Sequence, residues 1–143
     1  MCIRDSPGPM DDYEKTTKRH CGRIGAIEMF ISGPGLENHY KYKSGRSLNS
    51  REIIDLYRVN DELAIQVMDE YFERTARSFS TFINILDPEV IVCGGGMSEV
   101  DELYDEVPNR IIPNIASNFF STPIVKAEHG SSSGVRGAAY LWG

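Results

Sequence analysis

The stretch DPEVIVCGGGMS, residues 87–98, decides how the rest of the chain is read. Asp87 and Pro88 stop any helix that precedes them, because the residue before a proline is pushed out of the α region. Val90, Ile91, Val92 and Cys93 then form a short continuous apolar run rich in β-branched residues. Such a run predicts a strand buried on both faces of a mainly parallel sheet. Gly94, Gly95 and Gly96 follow it directly. Three residues without Cβ at the C-terminal end of a parallel strand let a flat ligand lie against the backbone, at the sheet edge where α/β proteins bind ligands. A nucleotide base and ribose would suit that surface. A plain strand-to-helix turn would use the same glycines, and taken by themselves these residues leave both readings open.

Upstream of this stretch the spacing is helical. Leu63, Val67, Tyr71, Phe72, Phe79, Phe82 and Ile83 recur three and four residues apart, which predicts a helix from Asn60 or Asp61 to about Leu86. Before it, Asn49 or Ser50 is available to cap a helix that carries Ile53, Ile54, Leu56 and Tyr57 and ends near Val59. Glu28 to Ile31 read as a short helix closed by a Ser32–Gly35 turn, with another helical turn over residues 36–42. Residues 11–18 are highly charged with no apolar face, the pattern of a surface connection.

Downstream, Ser98 reads as a cap with Asp101 three residues later, opening a helix to Ile115 that Pro108 and Pro113 break or kink. Ile124 to Lys126 make a second strand, and Ser131 to Trp142 a loop leading into a small-residue helix. Strand, crossover helix and strand predict a right-handed parallel unit and an α/β core.

Composition narrows the function. The chain has 143 residues, 41% of them hydrophobic, enough for one domain with a core but not for two large lobes. A net charge of −6 leaves no cationic footprint for nucleic acid, so none is expected as a partner. No apolar run approaches the length of about 20 residues that crosses a bilayer, and MCIRDSPGPM lacks the apolar centre of a secretory signal. The expected location is cytoplasmic, with no membrane partner. Residues 1–10 belong to no periodic element and read as a disordered or foreign leader, leaving 11–143 as the folded part. Cys2, Cys21 and Cys93 are odd in number and widely spaced, which is no disulfide framework. His39 and His129 have no metal-ligand spacing and read as ordinary polar residues.

A second run, HCGRIGAIEMFISGPGL over residues 20–36, joins a Gly22/Gly25 turn to a single acid, Glu28, and then to a glycine and proline turn. Taken with the downstream glycine triplet, it resembles the ROK family of bacterial sugar kinases and sugar-responsive repressors, and within it the fructokinase-like members. The resemblance covers about residues 11–143 and corresponds to the C-terminal half of such a kinase. It implies an α/β fold: a partial C-terminal lobe of the actin-like ATPase (ribonuclease H-like) fold, with short parallel strands packed against helices. It further implies that Gly94, Gly95 and Gly96 contact the adenosine part of ATP, with Mg2+ as the accompanying ion, and that Glu28 binds sugar hydroxyls. A carboxylate can accept hydrogen bonds from two neighbouring hydroxyls, so this acid would orient a hexose without doing bond chemistry.

The family pattern CxCGxxGCxE holds structural zinc through its cysteines, but here Arg19, Cys21 and Ala26 occupy those positions, and zinc is not expected. The family's DxGGT phosphate loop, its catalytic aspartate and its GH motif do not occur in these residues, so no catalytic residue is assigned. The segment HGSSSGVRG is similar to a family segment in which small residues let the last helix pack closely; its serines read first as loop and cap chemistry. The resemblance implies a parent enzyme, a homodimer, that transfers the γ-phosphoryl group of ATP to the 6-hydroxyl of fructose or a related hexose. The present residues are expected to be inactive alone. The alternatives are the effector-binding part of a ROK repressor and a remnant that folds but binds nothing.

Overall fold

The computed structural model describes residues 11–18, 22, 24–117 and 119–141. The leader over residues 1–10 and the expectations for Arg19, His20 and Cys21 lie outside these residues.

Among the described residues, six α-helices and two short strands are laid around one long helix, α5 (Glu62–Leu86). Asp61 caps it by accepting the Ala64 N–H at 2.9 Å. Its stripe of Ala64, Val67, Met68, Tyr71, Phe72, Ala76 and Ile83 is buried, as the spacing requires. Asp87 ends it in the left-handed region at φ 43°. Helix α4 (Ser50–Arg58) begins with a full capping box between Asn49 and Glu52 and buries Ile53 and Ile54 against α5. On another side of α5, α6 (Glu102–Ile111) lays down Leu103, Val107 and Ile111. The main core lies among these helices.

Helix α2 (Glu28–Ile31) is one turn long, and α3 (Gly33–Ser44) follows at once. The expected closing turn over Ser32–Gly35 is instead the start of α3. Ser32 accepts the Gly35 N–H at 3.1 Å as its cap, and Pro34 stands in the first turn, where its missing N–H has no cost. Gly35 is required here, because a Cβ would run into the Met29 backbone of α2.

Strands β1 (Ile91–Cys93) and β2 (Ile124–Lys126) pair in parallel, Ile91 opposite Ile124 and Cys93 opposite Lys126. The expectation of a strand buried on both faces is corrected. Ile91, Cys93 and Ile124 pack on the core, whereas Val92 is 58% exposed and Val125 also faces out, because helices cover only one side of the pair.

Three further expectations change. Residues 11–18 are no surface connection: α1 (Asp12–Thr16) buries Tyr13 and Glu14. Ser98 does not cap an α-helix. It lies inside a 3₁₀ turn, Gly96–Glu99, where its hydroxyl donates to the Gly95 carbonyl at 2.7 Å, and α6 starts only at Glu102 and ends at Ile111. The last helix, α7 (Ser133–Tyr140), follows a 3₁₀ turn at Gly130–Ser132 and buries no residue, so its small side chains do not serve close packing among the described residues. No helix among the described residues is long and apolar enough to cross a membrane.

Candidate functional site

At the C-terminal end of β1 the chain makes its sharpest special turn. Gly95 adopts φ 86° and ψ −178°, a conformation open essentially to glycine alone. Its neighbours differ. Gly94 and Gly96 have no positive φ; a Cβ on Gly96 would meet nothing, and one on Gly94 would only touch the Ala127 methyl. The fold therefore explains one glycine of the three. The other two leave bare backbone facing open space.

That space is a cleft of about 810 Å³. One wall is the triplet with Met97, Glu99 and Val100; the facing wall is α4, through Ser50, Arg51, Ile54, Asp55 and Arg58. Ile31, Ser32, Gly33, Pro34 and Ser131 also line it.

The walls are braced by charge. Arg58 donates to Glu102 through Nε at 2.7 Å and a terminal nitrogen at 3.0 Å, a two-point clamp between α4 and α6 that holds the Glu102 carboxyl below its ordinary range. Lys126 of β2 pairs with Glu99 at 2.6 Å, and this ammonium likewise lowers the Glu99 carboxyl. The Glu99 carboxylate lies directly against Gly130, whose backbone is left-handed at φ 49°, and so links the triplet wall to the loop carrying Ser131. Arg51, by contrast, is exposed and forms no ion pair among the described residues. Cys93 lies behind this wall, and burial pushes its thiol up, away from thiolate chemistry.

Glu28 stands apart from the cleft. It is exposed in the first turn of α2, while Ile31 at the other end of that helix borders the cleft, about 5 Å further along the axis. The two sequence-derived sites are thus neighbours across one helical turn, not lining residues of a single pocket. Ser131 is brought to the cleft as well, whereas His129 is exposed and His39 is buried elsewhere. Sequence reasoning missed α4 as a cleft wall, having given it only an apolar face. The signal was present in Arg51, Asp55 and Arg58, spaced four and three residues apart along one helical stripe.

A parallel strand, a glycine triplet at its end and an acid on a neighbouring short helix are the features the resemblance requires, and residues 8–143 match the ROK family. The chain belongs to the ROK family. Among curated ROK relatives it is similar to the N-acetyl-D-glucosamine kinase of Haemophilus influenzae, with 39% identity over 122 residues, 85% of this chain and 40% of that protein. The chain spans about 40% of the length of the curated relatives it matches. Among solved structures it resembles a ROK family glucokinase from Streptomyces griseus in complex with glucose and AMPPNP (TM-score 0.75, 20% identity, 85% of this chain and 45% of that one). It also resembles a ROK family transcriptional regulator, a homologue of the E. coli MLC protein (TM-score 0.64, 17% identity, 77% and 31%). Both likenesses are of fold: the chain has part of the α/β lobe of the actin-like ATPase fold that ROK kinases share.

Proposed function

We propose that this chain is the C-terminal part of an ATP-dependent hexose kinase. In this reading the adenosine of ATP lies on Gly94, Gly95 and Gly96, and Glu28 receives the hydroxyls of N-acetyl-D-glucosamine, whose 6-hydroxyl is phosphorylated. The observation that carries it is the bare backbone of Gly94 and Gly96 facing the cleft, which the fold itself does not require. Similarity to named N-acetyl-D-glucosamine kinases supports this hexose over the fructose suggested by the sequence. The kinase reading is preferred to the repressor reading because the triplet retains an open nucleotide-sized surface; the likeness to a regulator is one of fold alone.

ATP with Mg2+ supplies the phosphoryl group and the charge compensation for its transfer. The chain's own residues have positioning work. Gly94 to Gly96 admit the nucleoside without a side chain in its way, α4 forms the opposing wall, and Glu28 accepts two hydroxyl hydrogens and so orients the sugar ring. None of these residues is assigned the proton of the reacting hydroxyl. The 143 residues should therefore bind and not turn over.

Two assays test this. Equilibrium titration with AMPPNP should show saturable binding that Gly96→Val weakens at least about tenfold by filling the nucleoside surface, while the melting temperature stays within a few degrees. ATP-dependent phosphorylation of N-acetyl-D-glucosamine or fructose by the same chain should not exceed background. Binding unaffected by Gly96→Val would remove the proposed nucleotide site, and turnover would show that the reacting groups lie within these residues.

A further inference from the structure

A second cluster of charges is built around a buried arginine of α5, and within it Glu14 Oε2 and His39 Nε2 make no hydrogen bond. Arg74 of α5 is only 4% exposed. Its Nε donates to Glu14 Oε1 at 2.9 Å, one terminal nitrogen donates to His39 Nδ1 at 3.1 Å, and the other to Asp11 Oδ2 at 2.6 Å and Glu70 Oε2 at 3.2 Å. Glu14, fully buried, also receives Arg77, and Lys43 of α3 pairs with Glu70. Asp11, Glu14 and Glu70 are thus matched by Lys43, Arg74 and Arg77, with His39 neutral between them. A buried charge set of this kind is stable only while complete, because removing one member strands its partners in low dielectric.

What this cluster holds is α1. A helix of five residues has no stability of its own. Its place is set by Asp11 and Glu14 on Arg74, and by Tyr13, which packs on Phe30, His39 and Tyr42 beneath the Arg74 guanidinium. Two residues after α1, Lys18 forms an isolated antiparallel bridge with Ile24. From Ile24 the chain passes through buried Ala26 and Ile27 to Glu28. The far foot of this segment is fixed separately, by Phe30 in the core and by the Tyr71 hydroxyl donating to the Ile31 carbonyl at 2.9 Å.

We infer that the loop leading to Glu28 is positioned by this Arg74-centred charge cluster, and not by a bound metal. A structural zinc needs four donors. Ala26, at a position where the family pattern has a cysteine, is 3% exposed and offers only a methyl group. Arg74, Glu14 and Asp11 are positioning residues, acting through α1 and the Lys18–Ile24 bridge. The role of Glu28 in sugar binding rests on the kinase reading above. The anchoring does not, and its test uses neither sugar nor nucleotide.

The test is amide hydrogen exchange of the whole chain, resolved over residues 24–31 and compared with α4 and α6. Asp11→Asn keeps the cap of α1, since asparagine caps as well as aspartate, and removes one charged arm at the half-exposed edge of the cluster. It should speed exchange over residues 24–28 by about tenfold, the loss of one charge-assisted hydrogen bond, with α4 and α6 unchanged. Arg74→Ala should speed it further, and ethylguanidinium should restore slow exchange to Arg74→Ala but not alter the wild type. A chelator should leave wild-type exchange unchanged, and elemental analysis should find no stoichiometric zinc. The inference is overturned if Asp11→Asn leaves the loop as protected as before, or if a chelator accelerates its exchange. If Arg74→Ala unfolds the chain, Asp11→Asn alone decides.

Discussion

His39 sits between two groups that together dictate its tautomer. An arginine only donates, so the 3.1 Å contact from Arg74 makes His39 Nδ1 an acceptor, and the proton must be on Nε2, which faces Glu70 Oε2 at 3.0 Å. Burial and the Arg74 charge push the imidazole down to about 4, with Lys43 acting the same way and Glu70 and Asp11 opposing. Unfolded, the ring titrates near 6.5, so between pH 6.5 and about 4 the unfolded chain binds the extra proton and the native one does not. Stability should therefore be full above pH 6.5 and fall as the pH drops toward 4, by up to about 3 kcal/mol. Urea midpoints at pH 7 and pH 4.5 would show it, and His39→Gln should flatten that window. At the same scale, Gly95→Ala should cost about 1–3 kcal/mol because only glycine occupies its conformation readily. Gly96→Ala should change stability little, since its Cβ would meet nothing.

Among the elements, α4 and α5 were legible in the sequence because each carries both a cap and an apolar stripe. The starts read at Asn49 or Ser50 and at Asn60 or Asp61 are reproduced by the structure within a residue. Helix α1 was not legible. Its apolar signal is a single residue, Tyr13, and its stability comes from charges more than 60 residues away in Arg74 and Arg77, a pairing no local pattern encodes. The exposure of Val92 was hidden for another reason. A three-residue strand of apolar residues shows no alternation, so one covered face looks like two. The α2–α3 junction depends on close approach at Gly35. Gly35→Ala should destabilise by about 2–3 kcal/mol through overpacking against Met29, whereas Gly45→Ala, with open space around it, should cost about 1 kcal/mol for its left-handed backbone alone. Thermal melts of the pair would separate the two effects.

For the whole molecule, the glycine triplet and Glu28 stood out as candidates because each stands in a run that resembles the family's. The cleft wall on α4 did not, because what makes Arg51, Asp55 and Arg58 face the triplet is the packing of α4 across α5, a tertiary fact. The resulting architecture keeps two features apart on different sides of α5. On one side lies an open cleft with bare glycine backbone; on the other, a buried charge cluster secures the approach to Glu28. Nucleotide binding at the triplet is the claim on which the functional account stands. Its most direct test is the footprint of AMPPNP in a ¹⁵N-resolved NMR titration of this chain. The account predicts saturable shifts confined to Gly94, Gly95, Gly96 and Met97, with smaller ones at Arg51, Asp55 and Ser131 across the cleft. Shifts absent from the triplet, or centred instead on Asp11, Glu70 and Arg77, would contradict it.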